Sequence, residues 1–228
     1  MKEKLAVYLP GITEIQAEKL KRYLEFLLDY NTRLNLTAIT SFDEAIVKHL
    51  GDSLAGAAFI PKETKRLLDI GSGGGCPAIP LKIARPDISL TMTDGIGKKA
   101  DFLNAAVKHL GLEEAEAVKE RAEEIARTDR RESFDIVTAR AVAALPILLE
   151  LASPLIKVGG RFLAYKGDGE DEIEAAKGAA KALKMQLIET YGYTLEGGHA
   201  RKLLIYKKTA ATPAEYPRRY SRIIKQPL

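Results

Sequence analysis

The chain has 228 residues, 46% of them hydrophobic and 29% charged, which is the balance of a globular protein with a buried core. Its single cysteine cannot form an internal disulfide or a Cys-rich zinc site. No apolar run is long enough to cross a bilayer, and charges interrupt the first thirty residues as no signal peptide allows. A cytoplasmic protein is therefore expected, with secreted, membrane-spanning and disulfide-scaffold classes excluded.

In chain order, Thr13 to Tyr30 carries Ile15, Leu20, Tyr23, Leu24, Leu27 and Leu28 at helical spacing, with Thr13 as the N-cap. A second helix is predicted from Ser41, where Ser-Phe-Asp-Glu reads as a capping box, through Leu50. From Lys65 short apolar runs alternate with helical segments. Strands are predicted at 66–70, 89–93, 116–119, 134–139 and 160–166, and helices at 77–84, 98–110, 122–127, 145–156 and 171–183. Two last strands, 186–195 and 201–207, are joined by Glu196-Gly-Gly-His as a hairpin. Five β-then-α units and a closing hairpin predict an α/β, Rossmann-like doubly wound fold with a seven-stranded, mostly parallel sheet and one antiparallel strand. Residues 1–61 are expected to form a helical cap, 62–208 the body, and 209–228 a basic tail packed on or beside it.

Charge is uneven. From His199 onward eight basic residues face Glu215 alone, a net +7, so residues 1–198 carry −3. A basic tail on an acidic body suits a polyanion, although basic tails also serve solubility.

The most informative stretch is Leu67 to Ile79, where an apolar strand ends in Asp69 and gives way to Gly71, Gly73, Gly75 and then a helix. A triphosphate loop needs Lys-Ser or Lys-Thr after the last glycine, where Cys76-Pro77 stands. A dinucleotide loop needs glycine at position 76. The order Asp-x-Gly-x-Gly-x-Gly fits S-adenosyl-L-methionine, which has no phosphate and requires only close backbone passage. The next strand ends in Asp94, placed to accept hydrogen bonds from ribose hydroxyls of a nucleoside.

Two absences narrow the acceptor chemistry. Cys76, the only cysteine, lies in the cofactor loop and is poorly placed for attack on a pyrimidine ring. The segment after the fourth strand, Thr138-Ala-Arg-Ala-Val-Ala, lacks the Asn-Pro-Pro-Tyr type of sequence used on exocyclic amines. A ring nitrogen with a free lone pair, such as guanine N7, needs no general base, so no catalytic acid or base is assigned. His49 with Asp52 has the look of a catalytic pair, but a structural role is the expectation.

The chain closely resembles the bacterial small-subunit ribosomal RNA guanine-N7 methyltransferase family, also called glucose-inhibited division protein B. The resemblance rests on Asn31-Thr-Arg-Leu-Asn-Leu-Thr-Ala-Ile, Lys48-His-Leu-Gly-Asp-Ser-Leu, the glycine loop, Gly97-Lys-Lys, Arg121-Ala-Glu-Glu, Thr138-Ala-Arg-Ala-Val-Ala, Lys166-Gly and Tyr216-Pro-Arg-Arg. It implies that Gly71 and Cys76 line the cofactor, that Ala122 and Glu123 flank its adenine, and that Arg140 matches an arginine of the cofactor pocket. It also implies 16S ribosomal RNA, or the small subunit, as partner. The family has Phe or Leu where Cys76 stands and Gly where Ala78 stands, so looser packing on the cofactor is expected. Lys166, Arg201, Arg218 and Arg219 are the candidate RNA contacts, with Tyr216 and Tyr220 beside the last two for stacking. No metal and no membrane partner is expected, and the protein is read as a monomer. The rival readings are a small-molecule or protein methyltransferase, an RNA-binding assembly factor with a vestigial cofactor site, and, more distantly, a nicotinamide dehydrogenase.

Overall fold

The computed structural model describes residues 1–167 and 170–228. Three helical segments and a 3₁₀ turn (Ala57–Phe59) precede the sheet. The first, α1 (Lys2–Ala6), is too short to leave a periodic signal. In α2 (Glu14–Asn31), Thr13 and Gln16 form a reciprocal capping box, and Ala17, Leu20, Tyr23, Leu24 and Leu27 are buried along one face.

The third differs from expectation. Ser41 caps α3 (Phe42–Ala45), but the chain then widens into a π-helical turn over Ile46–Gly51 and closes with α4 (Asp52–Leu54). Glu44 does not complete a capping box, because its carboxylate is held by Lys48 at 2.6 Å. Helical backbone therefore runs four residues past Leu50. π-turns are uncommon and tend to occur where side chains must be re-aimed; this one carries His49 and leads into Asp52.

The sheet runs β1 (Arg66–Ile70), β2 (Ser89–Thr93), β3 (Ala115–Val118), β4 (Phe134–Arg140), β5 (Ile156–Lys166), β6 (Met185–Leu195) and β7 (His199–Lys208). Its order is β3-β2-β1-β4-β5-β7-β6, with β7 antiparallel to both neighbours and the other pairings parallel. The intervening helices are α5 (Ala78–Ala84), α6 (Gly97–Leu110), α7 (Ala122–Ile125), α8 (Leu145–Ala152), α9 (Glu170–Ala175) and α10 (Lys177–Ala182). The predicted helix over 145–156 is too long. Pro154 lies in a 3₁₀ turn, Ser153–Leu155, after which Ile156 already belongs to β5. The helix predicted over 171–183 is two, divided at Ala176.

Strand residues alternate between two cores, as a pleated sheet covered on both faces requires. Leu67, Ile136 and Leu163 face a cluster containing Leu20, Leu24 and Leu27 of α2 and Phe102 of α6. Leu68, Val137 and Phe162 face a second cluster with Leu148 and Leu149 of α8. The N-terminal helices thus share one continuous core with the sheet. Each fully buried Leu or Phe contributes about 1.5–3 kcal/mol on burial.

The order in which strands are added reverses between the parallel β1 and β4, so a crevice opens above their carboxyl ends, where open α/β sheets place ligands. A last helix, α11 (Tyr220–Lys225), lies on the second core through Ile223. Among the described residues no helix is long and apolar enough to cross a membrane.

Candidate functional site

The glycine loop leaves β1 with Gly71, Gly73 and Gly75 all at positive φ, of 65°, 52° and 96°. A Cβ on Gly71 would lie 2.8 Å from Val142 Cγ2, and one on Gly75 would lie 2.7 Å from Ile79 Cδ1. Gly71 faces open cavities, whereas Gly75 permits the loop to pack on its own helix and on Tyr23. The Tyr23 hydroxyl donates to the Gly74 carbonyl at 2.6 Å and lies 3.1 Å from Cys76 Sγ, so α2 clamps the loop from behind.

Asp69 lies under this loop, buried. Its Oδ1 accepts from the Thr138 hydroxyl at 2.6 Å, across the β1–β4 pairing. Its Oδ2 is buried with no hydrogen-bond partner. Burial pushes the carboxyl up to about 6, against the pull of the Thr138 and Ser72 hydrogen bonds and the Arg140 charge. Asp94, at the end of β2, accepts from the Gly73 N–H at 3.1 Å and the Ile96 N–H at 2.9 Å. A carboxylate oxygen accepts more than one bond, so lone pairs remain.

Three cavities succeed one another along the crevice. The first, of about 240 Å³, is bounded by Gly71, Asp94, Ile96, Ala122, Glu123 and Tyr220. The second, of about 260 Å³, lies between the glycine loop, Thr37, Lys99 and Arg140. The third and largest, of about 430 Å³, is bounded by Lys48, Asp52, Tyr165, Lys166 and Arg201. Gly71 is shared by the first two; His49, Arg140 and Ala141 are shared by the second and third.

Arg140, the last residue of β4, is fixed by the π-turn. Its Nη1 donates to the Lys48 carbonyl at 3.0 Å and to Asp52 Oδ2 at 2.8 Å, and its Nη2 lies 3.2 Å from His49 Nδ1. Asp52 Oδ1 accepts from the Tyr193 hydroxyl at 2.7 Å, and His49 Nε2 meets the Thr37 hydroxyl at 2.8 Å. His49 and Asp52 are therefore not a proton-transfer pair; both orient the guanidinium. Burial and then the Arg140 charge pull the His49 imidazole down to about 4, so it is neutral at pH 7 and able to accept from Arg140. The unfolded chain's imidazole takes up a proton below about 6.5 while the folded one does not until about 4. The unfolded state thus binds more protons in that window, and stability falls as pH falls through it. In His49→Gln this decline is expected to shrink relative to the unsubstituted protein, as read by denaturant titration at several pH values.

The expected cofactor residues fall into three places. Gly71, Asp94, Ala122 and Glu123 surround the first cavity; Gly73, Cys76 and Arg140 border the second; Asp69 and Gly75 lie beneath the loop. Glu123 is buried, which pushes its carboxyl up. Of the expected RNA contacts, Lys166 and Arg201 line the third cavity. Lys166 is held by the Ala143 carbonyl at 2.8 Å and Glu172 at 2.6 Å. Arg219 is exposed at the start of α11.

Arg218, another of the expected RNA contacts, is paired within the protein. Its Nε donates to Glu150 Oε1 at 2.8 Å and its Nη2 to Oε2 at 2.6 Å, the Glu150 side chain being fully buried. A guanidinium paired this way is tied to the protein's own carboxylate, and only its remaining N–H groups are left for another partner. Lys208, counted in the basic excess, is likewise fully buried on Glu132 and the carbonyls of Ser153 and Ile156.

Tyr220, expected to stack on a base of the RNA, walls the first cavity, with the Arg121 guanidinium 5.1 Å from its ring centroid. Ile96, outside every quoted motif, and Val142, inside Thr138-Ala-Arg-Ala-Val-Ala but not singled out there, are further wall residues, both exposed apolar side chains beside the crevice. No group of three or more His, Cys, Asp or Glu suited to a metal exists among the described residues.

A family model described as rRNA small subunit methyltransferase G matches residues 16–202. A relative with the name Ribosomal RNA small subunit methyltransferase G, from Lactobacillus delbrueckii subsp. bulgaricus, is 40% identical over 99% of this chain and 97% of its own. One of the same name from Desulfitobacterium hafniense is 42% identical over 93% and 90%. Among solved structures, a predicted O-methyltransferase from Agrobacterium tumefaciens shares the fold at TM-score 0.57 and 14% identity, covering 71% of this chain and 82% of that one. M. jannaschii TYW2, solved in complex with AdoMet, does so at TM-score 0.52 and 16% identity, covering 67% and 73%.

Proposed function

Because the chain belongs to the rRNA small subunit methyltransferase G family, we propose that it transfers the methyl group of S-adenosylmethionine to guanine N7 of 16S ribosomal RNA in the small subunit. The observation that carries the reading is the pair of cavities meeting at Gly71, one reaching Asp94 and the other Arg140. The residues present fit the cofactor. A Cβ at Gly71 would narrow the junction, and the partnerless oxygen of buried Asp69 is a costly group that an ammonium would satisfy.

In this reading Asp94 accepts the ribose hydroxyls, while Ile96, Ala122, Glu123 and Tyr220 enclose the adenine. Gly71 and Gly73 let the backbone pass close, and Asp69 takes the amino group. Bound there, the cofactor supplies an electrophilic methyl group on a sulfonium. The chain's own residues then position the acceptor, since attack by a lone pair along the line of the breaking bond gains chiefly from orientation. Arg140 is held rigid by Asp52 and His49, so it adds fixed positive charge and hydrogen-bond donors where the second and third cavities meet, without moving a proton. Guanine N7 has no proton to lose, which agrees with a neutral His49 already engaged on both nitrogens.

Asp69→Asn is expected to weaken cofactor binding about 10- to 100-fold, the loss of one charge-assisted hydrogen bond, measured by calorimetry. The reaction is tested by aniline-cleavage mapping of N7-methylguanosine in 16S RNA from cells lacking the gene. The RNA is then mapped after treatment with purified protein and S-adenosylmethionine. One guanosine that loses and regains the mark is the expected result; none doing so defeats the reading.

A further inference from the structure

The third cavity has chemistry that the donor site does not use. It is the largest of the three, at about 430 Å³, within the range of pockets that enclose small molecules. Among the described residues Asp52 is the sole carboxylate on its wall, and Lys48, Lys166 and Arg201 supply three cations around it. Asp52 borders this cavity alone, whereas His49 and Arg140 border this one and the cavity beside the glycine loop.

We propose that this cavity receives the acceptor guanosine, extruded from the RNA, with the Asp52 carboxylate reading the N1–H and N2–H donors of its Watson–Crick edge. The assignment rests on the function proposed above and names the subsite in which that function selects its base. Guanine presents two adjacent donors to a carboxylate. Adenine presents an N1 lone pair there, which the carboxylate repels, so both bases offer N7 but only guanine is held.

Orientation comes from the same contact. N7 lies across the ring system from N1 and N2. Asp52 lines only this cavity while Arg140 lines both, so a base anchored on Asp52 turns N7 toward the wall shared with the cofactor cavity. Asp52 is itself fixed by Arg140 at 2.8 Å and the Tyr193 hydroxyl at 2.7 Å, each taking one lone pair of a different oxygen, so one on each remains for the base. Of the three cations, Lys48 is paired with Glu44 and Lys166 with Glu172, so Arg201 is the one placed to favour the phosphates flanking an extruded nucleotide. Arg201 is the most open of them and lies 3.8 Å from Asp52. Removing a base from its stack costs a few kcal/mol, which contacts of this kind offset.

The test uses the full chain, S-adenosylmethionine, and small subunits assembled on ligated 16S RNA carrying either guanosine or inosine at the mapped position. Inosine keeps N7 and N1–H but lacks the N2 amino group. With the unsubstituted protein kcat/KM is expected to fall about 10- to 150-fold on inosine, as one hydrogen bond to a charged group is lost. Asp52→Asn is expected to lower activity on guanosine and to erase the distinction between the two substrates, which a merely structural role would leave intact. Arg201→Ala is expected to raise KM for the subunit with the Kd for the donor unchanged. Equal rates on guanosine and inosine with the unsubstituted protein overturn the proposal, as does full discrimination by Asp52→Asn. Should that variant not fold, the inosine comparison decides alone. Methylation of no guanosine at all overturns instead the functional reading on which the subsite depends.

Discussion

Gly71→Arg is expected to lose S-adenosylmethionine binding by more than about a hundredfold while the sheet remains folded. Two effects add. At φ 65° a side chain strains the backbone by about 1–3 kcal/mol, and the new Cβ lies 2.8 Å from Val142 Cγ2. The rest of the arginine then projects at the junction of the two cavities. Calorimetry measures the loss, and circular dichroism with thermal melting checks the fold. A smaller pair separates the causes. Gly71→Ala is expected to weaken binding less, and Gly71→Ala with Val142→Ala to recover part of the loss by removing the clash and leaving only the strain. Full retention of binding by Gly71→Arg would remove the glycine loop from the cofactor site.

Arg218→Ala is expected to destabilise the protein by about 3–5 kcal/mol, the cost of stranding one member of a buried ion pair. For a chain of this size that lowers Tm by about 6–20 °C. Glu150 is fully buried and also accepts from the Arg218 backbone N–H at 2.9 Å, so the pair fastens the C-terminal segment to α8. Arg131 grips the same segment through the carbonyls of Tyr216 at 2.8 Å and Thr212 at 3.0 Å. Loosening it frees Tyr220 from the first cavity, so donor affinity is expected to fall about tenfold, in line with one buried aromatic wall. Arg218→Lys, which keeps charge but not the fork, should recover part of the stability. An unchanged Tm in Arg218→Ala would show that the pair contributes nothing. The same geometry rules out truncation as a way to tell the rival enzymes apart. Cutting the chain before Tyr216 does not separate an RNA enzyme from a small-molecule enzyme, because the cut also removes Tyr220 from the wall of the first cavity.

The parts legible in the sequence are those written in local spacing. Strands 66–70 and 89–93 match because a buried parallel strand is an apolar run bounded by turn residues. The glycine loop and Asp94 are legible for the same reason, being two ends of adjacent strands. The illegible parts depend on distant partners. The π-turn at Ile46–Gly51 has no pattern of its own, yet it aims His49 and Asp52 at Arg140, about ninety positions away. Tyr193 joins Asp52 across 141 positions, and no spacing rule spans that. Helices α1 and α11 are too short for a period to appear. Arg218 passes for a surface cation in the sequence, because exposed and buried charge look alike until Glu150 is known to lie beneath it.

The order of the strands bears on how the molecule is made. β7 inserts between β5 and β6, so β6 has no place in the sheet until the chain has been synthesised through Lys208. Tyr220 comes later still, although the cavity it walls begins at Gly71. Synthesis adds about 5–20 residues per second, so the two sides of that cavity are made roughly 7–30 s apart. For that interval the glycine loop and Asp94 stand without their aromatic wall. An enzyme that marks ribosomal RNA thus completes the cavity beside its glycine loop only after Tyr220 has cleared the ribosome that is building it.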